Sequence, residues 1–74
     1  MVSPVQQTLL DRLAEACDLS EDIRMGQLLD LIGFLGHDAT ARSLAEIEDD
    51  ELLAVIERHC RDLRRRVAAP VARA

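Results

Sequence analysis

Apolar residues recur at helical spacing in three stretches of this chain, and nowhere do they alternate with polar ones over the length of a strand. In the first stretch, Val5, Leu9, Leu13 and Ala16 fall on one side with Leu10 and Cys17 beside them, while Gln7, Asp11, Arg12 and Glu15 face water. This period predicts a one-sided helix from about Pro4 to Cys17. Its start is marked chemically. Ser3 can cap orphan amides, Pro4 is preset for the first helical position, and Gln6 can reach back to the cap.

Asp18-Leu19-Ser20-Glu21-Asp22 reads as a break and restart, with Asp18 or Ser20 as the next cap and two acids where helix amides are positive. A second helix is expected from about Glu21 to Leu35. Met25, Leu28, Leu29, Ile32 and Leu35 form its stripe, and Ile23, Leu31 and Phe34 widen it beyond one face. So broad an apolar surface predicts the central helix, touched on several sides. Gly26 and Gly33, seven apart, stack on nearly one side of it, each at a cost of about 1 kcal/mol of helix propensity. They are expected to mark a close helix approach. Gly36 is placed to close this helix in the left-handed conformation.

A short helical piece is expected over about Ala39 to Glu46. The last helix should start with Asp49 as cap, or one residue either side, and run to about Arg66. Leu52, Leu53, Ile56, Cys60, Leu63 and Val67 supply its stripe, and Glu57 with Arg61 and Asp62 with Arg66 have the spacing of i, i+4 pairs. Short connections make sequential helices antiparallel neighbours. The expected fold is therefore all-α: a small antiparallel bundle of three main helices with a short fourth before the last. Residues 1–67 should form one domain and residues 68–74 a frayed tail.

Two segments stand out chemically: Arg24-Met25-Gly26-Gln27-Leu28-Leu29, and Ile47-Glu48-Asp49-Asp50-Glu51-Leu52-Leu53. The pair resembles small bacterial proteins of unknown function that carry an R-x-G-Q-L segment followed by an I-E-D-x-E-L segment. The resemblance covers about two-thirds of the chain and implies no activity. Arg24 and Gln27 share a helix face, from which a guanidinium and an amide can reach a carboxylate together. Glu48, Asp49 and Asp50 are their expected targets, as an internal staple or across an interface with another chain.

Composition narrows the function. A chain of 74 residues buries only about 60% of the surface its unfolded state exposes, so a homodimer or another protein partner is expected. Residues 1–57 hold thirteen acids against three arginines, and residues 58–74 hold six arginines against Asp62. The acidic balance, with Asp50 and Glu51 opening the last helix, argues against nucleic acid. The runner-up reading is nonetheless a helix-turn-helix-like regulator, with Thr40 to Glu46 as its first helix and the last helix as reader.

No enzyme, cofactor or metal site is expected. Ser3, Ser20 and Ser43 sit at caps or turns, no nucleophile elbow occurs, and His37, Asp38, His59, Cys60 and Asp62 lack the spacing of converging ligands. Leu35-Gly36-His37-Asp38-Ala39 resembles the segment before the modified serine of acyl carrier proteins, but Ala39 stands where that serine would be, so no phosphopantetheine arm can be attached. Cys17 and Cys60 read as free thiols. With no signal peptide or membrane span, the chain is expected to be cytoplasmic and to work by protein–protein interaction.

Overall fold

The computed structural model describes residues 1–68. It contains three α-helices, α1 (Pro4–Leu19), α2 (Met25–Thr40) and α3 (Asp49–Ala68), with a 3₁₀ turn (Leu44–Glu46) before the last. Among the described residues there is no strand, so the all-α bundle expected from the periodicity is the fold. The 3₁₀ turn stands for the short fourth piece, reduced to three residues because Ala39 and Thr40 belong to α2. Beyond Ala68, the expected tail lies outside the described residues.

The first helix starts as its sequence requires. The amide of Gln6 donates to Ser3 Oγ and the amide of Ser3 to Gln6 Oε1, both at 3.1 Å, so two orphan amides are satisfied reciprocally. At its other end the helix runs two residues past Cys17, and Ser20 ends it by donating its amide to the Cys17 carbonyl. The expected start of α2 is corrected. Glu21 and Asp22 lie in the connecting turn, Asp22 has φ 64°, and α2 begins at Met25 with Arg24 as cap. A short polar side chain makes that left-handed turn tolerable, and a turn there removes both acids from the helix.

The other end of α2 is corrected as well. Gly36 is buried inside the helix, and the residue that closes it in the left-handed conformation is Ala41, φ 62°, whose amide donates to the His37 carbonyl at 2.7 Å. Gly36 is retained in the helix interior for a packing reason. A Cβ built there would lie 2.6 Å from Ile47 Cδ1. This is the close approach that Gly26 and Gly33 were expected to mark. A Cβ at Gly26 meets nothing within 4 Å, and one at Gly33 makes only ordinary contact with Leu44, 3.8 Å away.

The core joins Leu9 and Ala16 of α1, Leu28 and Ile32 of α2, and Ile56, Cys60 and Leu63 of α3. Leu28, Ala16 and Cys60 have no exposed surface, and Ile56 and Ile32 are nearly as deeply buried. The central helix is α3, in place of α2. One side of α3 packs on α1, where Gln6 Nε2 donates to Asp49 Oδ2, Cys60 Sγ to the Arg12 carbonyl, and Arg64 to Glu15. The partners advance together along both helices, so α1 and α3 run parallel, and α2 carries the chain back between them in sequence.

The α1–α3 seam is polar at its margin. Glu15 takes a two-pronged contact from the Arg64 guanidinium and a further ion pair from Arg12 at 3.2 Å. The Arg64 hydrogen bond holds the Glu15 carboxyl below its ordinary pKa despite the opposing effect of burial. Arg12 and Glu15 were expected to face water and are instead half-buried here. The expected i, i+4 pairing of Asp62 with Arg66 is replaced by Arg65, one residue closer, at 3.1 Å, and no Glu57–Arg61 ion pair occurs among the described residues.

Candidate functional site

The helix caps determine where Arg24 and Gln27 go. With Arg24 at the cap of α2, Gln27 stands three residues into the helix, and its Oε1 accepts the Arg24 amide at 2.9 Å. This is half of a reciprocal cap, because an arginine side chain has no acceptor to return the bond. Neither residue is joined to Glu48, Asp49 or Asp50 by a hydrogen bond or ion pair among the described residues. The internal staple is therefore corrected. Gln27 closes its own helix end, and the Arg24 side chain is exposed.

The acidic segment finds other partners. Gln6 holds Asp49 at 3.2 Å, Asp50 accepts the Glu51 amide at 2.9 Å, and Glu51 receives both the Glu48 amide and Arg42 Nη2, the latter at 2.6 Å. The Arg42 hydrogen bond lowers the Glu51 pKa, with the Glu48 amide acting the same way. Arg42 was not singled out in the sequence. The signal for it was the need of an acidic helix start for a nearby cation in the preceding loop. Of the expected acceptors, Asp49 and Asp50 thus have partners other than Arg24 and Gln27.

What remains for Arg24 and Gln27 is the outward side of α2. Arg24, Gln27, Leu31, Phe34 and Asp38 are spaced three, four, three and four residues apart, so they line one face of the helix. The inward face is occupied by Leu28, Ile32 and Gly36, all buried. Phe34, the sole aromatic residue, is 69% exposed, Leu31 is half-buried, and Arg24, Gln27 and Asp38 are exposed. A second apolar edge, Met25 and Leu29 with Leu44 of the 3₁₀ turn, is uncovered on another flank of the same helix. The breadth of the α2 stripe is thus real, but α1 and α3 cover only part of it.

The two ends of the outward face carry opposite charge. Arg24 lies seven residues before Leu31 and Asp38 seven after it. A second helix of the same sequence, laid antiparallel about Leu31, would set each Arg24 against the other copy's Asp38. The intervening Gln27 and Phe34 would meet across the axis.

Thr40 to Glu46, read as the first helix of a helix-turn-helix, contains the end of α2, a left-handed residue and the 3₁₀ turn. Of the C-terminal arginines, Arg64 and Arg65 are engaged by Glu15 and Asp62. Cys17 and Cys60 are free, and burial raises the Cys60 thiol pKa. Among the described residues no three His, Cys, Asp or Glu side chains are grouped to hold a metal ion, and no helix is long and apolar enough to cross a membrane. No protein-family model matches the chain, and neither a curated protein nor a solved structure does.

Proposed function

We propose that this chain is a non-enzymatic protein–protein interaction module that works by pairing with a second copy of itself through the outward face of α2. The observation that carries this reading is the exposure of Phe34, 69%, at the middle of a stripe whose ends are Arg24 and Asp38. A large aromatic placed away from its own core gains nothing in the single chain, and aromatics and arginines are the residues on which interfaces concentrate their energy. The opposite charges at equal distances from Leu31 select the occupant. They make the face complementary to itself in the antiparallel sense, as a two-fold interface requires.

A helix of 16 residues is about 24 Å long. One such face against another would bury about 1,000 Å² in total, the low end for specific association and typical of weak, transient pairing. Sedimentation equilibrium of the intact chain tests this. The expected result is a monomer–dimer equilibrium at micromolar concentration that Phe34→Asp abolishes while helix content, read by circular dichroism, is retained. A wild-type chain that stays monomeric across that range, or a Phe34→Asp variant that dimerises as well as wild type, contradicts the proposal.

A further inference from the structure

Between α2 and the side of α3 turned away from α1 lies a cleft of about 510 Å³, within the range of small-molecule sites. Leu31 and Leu35 form one apolar wall and Val55 faces them from α3. Apart from Asp38 of α2, the polar groups come from α3, where Val55, His59, Asp62 and Arg66 recur at helical spacing on one side.

His59 is the informative member of this set. It is 8% exposed, sits on the wall of the cleft, and its Nε2 is buried with no hydrogen-bond partner among the described residues. Buried polar atoms are almost always satisfied, and a leucine at position 59 would fill the same space without leaving one orphaned. An imidazole there is satisfied by a group the chain itself does not supply, whether a water or a ligand entering the cleft. Burial, reinforced by the Arg66 charge and opposed by Asp62, keeps the imidazole pKa below its ordinary value. His59 is thus neutral at neutral pH and able to donate one hydrogen bond without adding a charge.

The surrounding charges indicate what that partner carries. Arg58 and Arg66 line the cleft and take part in no ion pair among the described residues, whereas Asp62 is held by Arg65 at 3.1 Å. Arg65 offsets the charge of Asp62, so the two lining guanidiniums, Arg58 and Arg66, face one uncompensated carboxylate, Asp38. The rim therefore favours an anion, and guanidinium with a neutral N–H donor suits a carboxylate.

The geometry points to a binding site for a small, largely apolar carboxylic acid, its hydrocarbon part between Leu31, Leu35 and Val55 and its carboxylate held by His59 and Arg66. The cleft shares Leu31 and Asp38 with the outward stripe of α2.

Octanoate, octanol and octylamine, titrated into the labelled intact protein and followed by amide chemical shifts, separate the contributions. Octanoate should shift the amides of Leu31, Val55 and His59 and bind about tenfold more tightly than octanol, the value of one charge-assisted hydrogen bond, with octylamine weakest. Arg66→Gln, at an exposed position, should reduce octanoate to the octanol level and leave octanol unchanged. His59→Leu should also weaken octanoate, and if that variant fails to fold, Arg66→Gln alone carries the test. Octanoate binding no tighter than octanol, shifts that map away from the cleft, or no binding below the micellar concentration overturns the proposal.

Discussion

Replacing Gly36 with alanine puts a methyl group 2.6 Å from Ile47 Cδ1, in the place where the loop before α3 crosses α2. Carbon atoms in contact prefer about 3.5–4.0 Å, so the two groups must part by about 1 Å. Ile47 is 7% exposed and cannot swing outward without surrendering its burial, although its terminal methyl can turn. Overpacking of this kind costs about 1–3 kcal/mol, against which alanine recovers about 1 kcal/mol of helix propensity. A net loss of about 1 kcal/mol follows, or about 4–8 °C in Tm for a domain of this size.

Gly26→Ala is the control, because nothing lies within 4 Å of its Cβ. It should stabilise the chain by up to about 1 kcal/mol. Ile47→Val removes the clashing methyl itself. Alone it should cost about 0.5–1.5 kcal/mol, but in the Gly36→Ala background the loss and the relief offset each other. Urea unfolding of the four-member cycle, followed by far-UV circular dichroism, should therefore show a coupling of about 1 kcal/mol, well above the ~0.3–0.5 kcal/mol scatter of independent sites. If Gly36→Ala stabilises as much as Gly26→Ala, or if the cycle is additive, the packing role assigned to Gly36 is wrong.

Three further outcomes follow from the same structure. Ala41→Gly relieves a left-handed alanine at φ 62° and should raise stability by about 1 kcal/mol in urea unfolding, since an L-residue there costs about 1–2 kcal/mol, part of which glycine's entropy returns. Leu28→Ala empties a position with no exposed surface and should cost about 2–5 kcal/mol, enough to leave the variant largely unfolded by thermal circular dichroism. Arg64→Gln removes the main cause of the lowered Glu15 pKa. That pair's contribution is present above the ordinary carboxylate pKa and is lost as pH falls through the lowered folded value, so wild type and variant should differ in Tm at neutral pH and converge in acid.

The helical periods carried the fold because each stripe needed a neighbour, and Ser3, Pro4 and Gln6 carried the first boundary because all three chemical signals agreed. The boundaries of α2 were less legible, since local and tertiary signals conflict there. Glu21 and Asp22 have the chemistry of a first helical turn, but Asp22 adopts φ 64°. Gly36 has the chemistry of a helix end, and only the later Ile47 reveals why it lies inside. The place of α3 between the other helices depends on contacts such as Glu15 with Arg64, 49 residues apart, which no local pattern encodes. At the candidate site, the shared face of Arg24 and Gln27 was readable. Its direction was not, because Arg24 caps α2 and Gln27 turns back to its amide, while Asp49 is held by Gln6.

The outward face of α2 is central to this account, and a charge exchange across its ends tests it most directly. Arg24→Asp and Asp38→Arg should each weaken self-association in sedimentation equilibrium by placing like charges together at both ends of the antiparallel pair. The double variant, with the charges exchanged, should restore the wild-type dissociation constant. Single variants that dimerise like wild type, or a double variant no better than either single one, would contradict the pairing of Arg24 with Asp38 of a second copy.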